Sequence, residues 1–232
     1  MKNIVAFSGG KDSTALLLMM IEKNMPIDEI VFADTLLEFP EMYKYIEDVE
    51  KHIDRKIIKI SPKTTFFKWF YGLSTKGKYK GIERGFPPQK CHCYWSREVK
   101  EYCLKKYTHN NNVYIGIASD EKKRAKKHPK FNAIYPLVDW NITEKECINY
   151  LKSKNLENPL YEVFDRTGCW LCPKQKINSL RVLYKKYPLY WRTIKIMEQE
   201  TKGCKFRTDY SVDELEQKFI KEKEQAMLNL KV

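Results

Sequence analysis

The sequence predicts an α/β protein: a doubly wound, mainly parallel sheet with a helical, cysteine-containing C-terminal part. Three observations predict it. Short apolar runs at 4–7, 29–35, 56–60 and 113–119 alternate with helical patterns, which is the signature of β-α-β units. The first run passes directly through "SGGKDS" (8–13) into the apolar stretch "ALLLMMI" (15–21), a strand-turn-helix junction. Beyond about residue 160 the strand pattern stops, and segments rich in Lys, Tyr and Trp take over. The expected division is therefore 1–160 as a nucleotide-binding α/β domain and 161–232 as a helical extension.

The elements follow in order. Residues 4–7 are apolar throughout, as in a strand buried on both faces. The helix over 13–23 is apolar almost all round, so neighbours must cover it. The run 29–35 makes a second strand, and "FPEMYKYIEDVEKHI" (39–53) an amphipathic helix with Pro40 near its start. Strands at 56–60 and 113–119 complete the predicted sheet, with helices over 96–107 and 143–154. Thr143 with Glu146 three residues on forms a capping box for the latter. Residues 66–90 hold four of the nine glycines, Gly72, Gly77, Gly81 and Gly85, among lysines and aromatics; a mobile loop is expected there.

Composition narrows the classes. With 232 residues and 43% apolar content the chain is globular. No run of 18 apolar residues exists, which excludes a membrane-spanning helix. The start, "MKNIVAF", leads into a strand without a signal-peptide core, so a cytoplasmic location is expected. A net charge of +13 suits an anionic partner such as nucleotide, RNA or DNA, although scattered lysine alone accounts for part of it.

Parallel sheets bind ligands at the carboxyl ends of their strands, where 7–14, 34–38 and 116–121 are expected to converge. The junction at 8–13 suits an anion. Unpaired amides at a helix start and the helix dipole favour negative charge. Gly9 and Gly10 permit close backbone approach, Lys11 adds a positive charge, and Ser8, Ser13 and Thr14 add hydroxyls. Asp12 is expected as the N-cap. Neither the Walker A spacing nor the dinucleotide fingerprint is present.

"SGGKDS" matches the PP-loop signature of the adenine-nucleotide α-hydrolase (ATP pyrophosphatase) superfamily, and the chain most resembles its phosphoadenosine-phosphosulfate (PAPS) reductase-like branch. "VFADTLLEFPEM" (31–42) is similar to that branch's strand-two motif. "GIASDEKKRA" (116–125) resembles its Gly-Ile-Arg segment, with Ala118 where Arg is usual. "YPLVDWNITEKEC" (135–147) resembles its Tyr-Pro-Leu-x-x-Trp motif. The resemblance spans about residues 3–175. It implies a Rossmann-like, HUP-type fold and a loop holding the phosphates of ATP or a related adenylyl nucleotide on Ser8, Gly9, Gly10, Lys11, Asp12 and Ser13. Asp34, Thr35, Gly116 and Arg124 are expected near the nucleotide; for Asp34 and Thr35, turn and cap chemistry is an equal alternative. The implied reaction attacks the α-phosphate and releases pyrophosphate, with magnesium on the phosphates; Lys11 and Asp12 are the candidate catalytic residues, and Asp12 the candidate metal contact.

Four of seven cysteines form two close pairs, Cys91 with Cys93 in "KCHCYW" and Cys169 with Cys172 in "TGCWLCPK". Such spacing puts soft thiolates on one centre, tetrahedral zinc or iron–sulfur; separate buried or redox thiols are the alternative. The resemblance favours a 4Fe–4S cluster over Zn2+, because some adenylyl-sulfate reductases, tRNA thiolases and DNA phosphorothioation enzymes of the superfamily hold one beside the nucleotide. Trp95 and Trp170 flank the pairs, as shields or as core. Cys103 and Cys147 fall in predicted helices and read as packing residues. Cys204 lies among Lys202, Lys205 and Arg207, surroundings that lower a thiol pKa; a plain surface cysteine is the favoured reading and a sulfur-carrying nucleophile the alternative.

The assimilatory reductases carry a Glu-Cys-Gly-x-His motif that this sequence lacks, which argues against sulfonucleotide reduction by that mechanism. "LRVLYKKYPLYWRTIK" (180–195) interleaves cations with aromatic rings, as in proteins that stack unpaired bases; an amphipathic helix with its rings packed on the sheet domain is the competing reading. The resulting expectation is an adenylylating enzyme in sulfur transfer to a nucleic acid, tRNA or DNA, with a possible sulfur-donor protein. A sulfonucleotide reductase or sulfotransferase-like enzyme is the first alternative, and a non-catalytic nucleotide-binding module with structural zinc the second.

Overall fold

Ile4, Val5 and Phe7 are buried on both faces of a central strand, and the rest of the sheet assembles around it. In the computed structural model, which describes residues 1–87, 89, 92–125, 131–201 and 204–229, the elements in chain order are β1 (Asn3–Phe7), α1 (Lys11–Glu22), β2 (Glu29–Ala33), α2 (Pro40–Ile53), β3 (Ile58–Ile60), α3 (Phe66–Phe70), α4 (Tyr94–Ser96), α5 (Leu104–Tyr107), β4 (Asn112–Ile115), β5 (Asn132–Ile134), α6 (Pro136–Asp139), α7 (Glu144–Ser153), α8 (Ile177–Lys186), α9 (Pro188–Glu200) and α10 (Val212–Asn229). The chain divides into two units, Met1–Lys63 with Ser96–Gly168, and Thr64–Trp95 with Cys169–Val232. Residues 64–95 thus group with the C-terminal part, and the first unit runs to 168 where the sequence suggested 160.

The first unit holds a five-stranded, all-parallel sheet in the order β3-β2-β1-β4-β5. The winding reverses between β1 and β4, so the crevice of a doubly wound sheet opens at their carboxyl ends. Helix α1 packs against both β1 and α7, which explains its nearly all-round apolar character: Leu16, Leu17 and Met20 are fully buried. The predicted capping box forms, with Thr143 Oγ1 accepting from the Glu146 amide and Glu146 accepting from the Thr143 amide.

Strand boundaries differ from expectation, β3 beginning at Ile58 where 56 was expected. Strand β2 stops at Ala33 because the Asp34 carboxylate accepts the Leu36 amide (2.7 Å) and Leu36 takes a positive φ of 59°, turning the chain. Strand β4 stops at Ile115, just before Gly116. β5 escaped the sequence reading because three residues at a sheet edge show no usable periodicity. The predicted helix over 96–107 forms with a π-helical turn, Arg97–Cys103, leading into α5.

In the second unit, the segment expected as a glycine-rich loop carries helix α3, a 3₁₀ turn at Gly77–Tyr79 and a bridge between Leu73 and Glu83. Aromatic packing gives it structure: Phe66 meets Trp95 edge-on at 5.6 Å, Phe70 meets Phe86 at 4.8 Å, and Phe86 meets Phe206 at 5.1 Å. The basic-aromatic stretch 180–195 forms α8 and the start of α9. Trp191 is buried against Tyr184 and Phe219, and Arg181 pairs with Glu222. These rings pack on α10, within their own unit. Among the described residues no helix is long and apolar enough to cross a membrane.

Candidate phosphate-binding site

The turn between β1 and α1 is built by glycine geometry and hydroxyl bonds. Gly9 adopts φ +70°, open to glycine at little strain, and a Cβ there would lie 2.3 Å from Met42 Sδ. Gly10 is the N-cap of α1 in extended conformation and has no side-chain cap. The N-cap role expected of Asp12 is therefore corrected: Asp12 sits in the first turn of the helix. Ser13 Oγ accepts from the Ser8 amide (3.1 Å), lies 2.9 Å from Ser8 Oγ and donates to the Gly10 carbonyl (3.0 Å). Thr14 Oγ1 donates to the same carbonyl (3.0 Å). The hydroxyls of Ser13 and Thr14 thus brace the turn from within and are buried.

Gly116, just past β4, lies under this helix start. A Cβ on it would come within 2.7 Å of Ser13 N and Cα. This close backbone approach brings the end of β4 against the start of α1.

Lys11 is held at two points. Its Nζ lies 2.6 Å from Glu144 Oε1, the first residue of α7, and 5.2 Å from the centre of the Tyr161 ring. Its amide donates to the Tyr161 hydroxyl (3.3 Å). Burial opposes the charge on Lys11, yet the hydrogen bond to Glu144 keeps its pKa above the ordinary lysine value. Asp12 behaves in the opposite way. Burial pushes its carboxyl up to about 6; Lys11 pulls it down, while Glu144 and Glu121 push it further up. Asp12 Oδ1 is buried with no hydrogen-bond partner. An unpaired buried carboxylate oxygen at a phosphate seat is the donor a divalent cation takes, so this residue fits the expected magnesium contact.

Two further residues brace the seat. The buried Asn158 donates to the Gly9 carbonyl (2.8 Å) and accepts the Leu160 amide (3.0 Å). Tyr45 donates towards Thr14 Oγ1 and the Leu156 carbonyl, both at 3.1 Å. A cavity of about 440 Å³ opens beside Lys11, lined also by Leu151, Asn158, Tyr161 and Phe164.

The remaining predicted residues are placed as follows. Asp34 is buried after β2, accepting from the Leu36 amide and from Tyr43 Oη (2.9 Å), while Thr35 Oγ1 donates to the buried Glu38 (2.7 Å). Both side chains are engaged in turn chemistry. Arg124 ends a 3₁₀ turn, Ser119–Arg124, and pairs with Glu121; its charge is felt at Asp12, whose carboxyl it draws down. Cys93, Cys169 and Cys172 all belong to the second unit, and Cys91 lies outside the described residues. Among the described residues no three Cys, His, Asp or Glu side chains gather as a ligand set. The Cys169–Cys172 turn is nonetheless braced: Gln175 donates to the Trp170 carbonyl (2.9 Å), and the buried Arg207 donates to the carbonyls of Pro173 (2.8 Å) and Gln175 (2.7 Å).

The basic surroundings of Cys204 do not lower its pKa. Burial raises it, against the Phe86 amide that its sulfur accepts. Cys147 is fully buried, with its thiol pushed up to about 12 by burial and by Asp12, in keeping with a packing role.

Sequence reasoning missed Asn158, Tyr161, Glu144, Gln175 and Arg207. The capping box placed Glu144 at a helix start, but nothing local ties Asn158, Tyr161 or Glu144 to a loop up to 150 residues away, or Arg207 to the Cys169–Cys172 turn.

Comparison with known proteins agrees with the architecture. A phosphoadenylyl-sulfate reductase from Candida auris superposes with a TM-score of 0.53 over 73% of this chain and 82% of that one, at 18% identity, which shows the shared fold. An uncharacterized protein of Methanocaldococcus jannaschii is 32% identical over 81% of this chain, which spans 39% of that protein's length. A second from the same organism is 30% identical, and the chain spans 40% of it. An adenosine 5'-phosphosulfate reductase of Bacillus cytotoxicus is 30% identical over 77% of this chain and 76% of its own length. With the phosphoadenosine phosphosulfate reductase domain matched across residues 2–175, the chain belongs to that family.

Proposed function

We propose that this chain binds ATP or a related adenylyl nucleotide with its phosphates on residues 8–13, and activates a substrate by adenylylation with release of pyrophosphate. The carrying observation is the β1-α1 turn, where Gly9 at positive φ, the start of α1 and Lys11 lie together at the switch point of a parallel sheet. In the proposed step an acceptor oxygen bonds to the α-phosphorus as the α–β phosphoanhydride breaks, and pyrophosphate leaves. The amides and Lys11 stabilise charge on the departing oxygens. Asp12 would hold magnesium, which neutralises phosphate charge when bound; without it, the ionised carboxylate repels the ligand. The acceptor we favour belongs to sulfur transfer onto a nucleic acid, tRNA or DNA, for which the net charge of +13 is the support. A sulfur-donor protein would complete that chemistry.

A second reading has its own support. The 30% identity to an adenosine 5'-phosphosulfate reductase over three quarters of both chains favours a sulfonucleotide as substrate. Incubation with α-labelled ATP, or with labelled adenosine 5'-phosphosulfate and a dithiol as two-electron reductant, separates the two: the first reading requires pyrophosphate and an AMP product from ATP, the second requires sulfite and AMP from the sulfonucleotide as the dithiol is oxidised to a disulfide.

A thiolate-bound metal on Cys91, Cys93, Cys169 and Cys172 rests on their spacing in sequence, and the choice of a 4Fe–4S cluster over zinc rests on the family resemblance. The described side chains do not present a gathered ligand set, so no step is routed through such a centre. Iron and zinc content of an anaerobic preparation tests it, and a preparation holding neither removes it.

A further inference from the structure

The phosphate seat is already engaged by side chains of its own unit. The Lys11 amide, one of the N–H groups at the start of α1, donates to the Tyr161 hydroxyl, and the Lys11 ammonium is paired with Glu144. Tyr161 Oη is also close to Gly10, since a Cβ there would lie 3.5 Å from it. An oxygen placed against Gly10 and the Lys11 N–H takes the position a helix N-terminus offers to an anion. A carboxylate on the ammonium takes the other phosphate contact of the same residue.

We infer that Tyr161 and Glu144 form a clasp on Lys11 that competes with the phosphates of an incoming nucleotide. The inference rests on the proposed phosphate seat and extends it to two residues outside the loop. The clasp is anchored at both ends. Tyr161 lies in the 3₁₀ turn Pro159–Glu162, whose N-cap Asn158 is itself bonded to Gly9. Glu144 opens α7, with its amide donating to Asp120 Oδ1 (3.2 Å). Both partners are therefore carried by elements tied to the site.

Competition has a definite thermodynamic consequence. A phosphate oxygen that takes the Lys11 amide must first displace the tyrosine hydroxyl, so the measured affinity is the intrinsic affinity reduced by that displacement. Removing only the hydroxyl keeps the ring and its contact with the ammonium while freeing the N–H.

The test is calorimetric titration, with magnesium present, of inorganic pyrophosphate, α,β-methylene-ATP and adenosine into wild type, Tyr161→Phe, Glu144→Gln and Lys11→Ala. Tyr161→Phe and Glu144→Gln are expected to tighten pyrophosphate and the ATP analogue by about three- to tenfold each, as one hydrogen bond removed from competition allows. Adenosine, which has no phosphate, is expected to bind equally to wild type and both variants; a general structural effect would move it too. Unchanged or weaker pyrophosphate binding by both variants, with wild type binding and Lys11→Ala not binding, overturns the clasp and leaves the phosphate seat standing. Failure of wild type to bind either phosphate ligand overturns the seat and the clasp with it.

Discussion

Asn158 Nδ2 donates to the carbonyl oxygen of Gly9 across 149 residues of sequence, at 2.8 Å, from a side chain that is 2% exposed. The same side chain accepts the Leu160 amide, so it joins the phosphate turn to the segment bearing Tyr161. Its removal leaves a buried carbonyl and a buried amide without partners. Asn158→Ala is expected to lower stability by about 2–3 kcal/mol in denaturant titration and to weaken nucleotide binding as the turn loosens. Equal stability in the variant would show that the two backbone groups find other partners.

Gly116 and Gly9 differ in what an added methyl would meet. At Gly116 the obstacle is backbone, Ser13 N and Cα at 2.7 Å; at Gly9 it is the end of a flexible side chain, Met42 Sδ at 2.3 Å, together with a positive φ. Gly116→Ala is expected to cost about 2–4 kcal/mol, because the start of α1 must shift. Gly9→Ala is expected to cost about 1–2 kcal/mol from the backbone, plus a steric part that Met42→Ala relieves. A thermal melt of the three variants checks the order.

Asp12 gives the protein a pH dependence of defined sign. Its pKa is raised to about 6 in the fold from an ordinary 3.8, so the folded state binds the proton more tightly than the unfolded state. The resulting stabilisation is present below the unfolded value and is lost as pH rises through about 6. Asp12→Asn is expected to raise stability above pH 7 by about 1 kcal/mol after allowance for solvent screening, and to have little effect at pH 4. Melting curves at the two pH values are the check. Without magnesium, pyrophosphate affinity in wild type is expected to rise as pH falls through 6, and to lose that component in Asp12→Asn.

Arg207 holds the turn that carries Cys169 and Cys172 through two backbone carbonyls, and is closed on its other side by Asp209. Arg207→Lys keeps the charge but not the fork. It is expected to raise the alkylation rates of Cys169 and Cys172 several-fold, read by mass spectrometry, with Cys147 remaining unreactive because it is fully buried with a raised pKa. Equal rates in the variant and wild type would show that the turn keeps its shape without the arginine.

The capping box at α7 offers a smaller, well-bounded effect. Thr143→Ala removes the acceptor of the Glu146 amide and is expected to cost about 1 kcal/mol. Because the same helix start presents Glu144 to Lys11, the variant should also change pyrophosphate affinity, whereas a cap variant at Thr65 on α3 should not.

Much of the α/β unit was legible in advance because its signals are local. Glycine at a strand end, an apolar helix, a Pro at a helix start and a capping box each act within a few residues, and α1, α2 and α7 formed as expected. The strand-turn-helix junction at 8–13 was legible for the same reason. The segment 66–90 was misread because its glycines outweighed its aromatics in a local view, while Phe66, Phe70 and Phe86 are buried by partners such as Trp95 and Phe206. For Cys204 the low-pKa reading drawn from neighbouring charges does not hold, because burial governs its thiol.

Local chemistry along the chain thus settled the strand-turn-helix junction at residues 8–13, since backbone amides, glycine torsions and hydroxyl bonds operate over single turns. Which groups close around that junction was set by folding. Asn158, Tyr161 and Glu144 reach residues 9–11 from another part of the sequence, and Asp12 is raised because burial strips its carboxylate of water. Burial and long-range hydrogen bonding are properties of packed neighbours, and no spacing within the sequence encodes which neighbours those are.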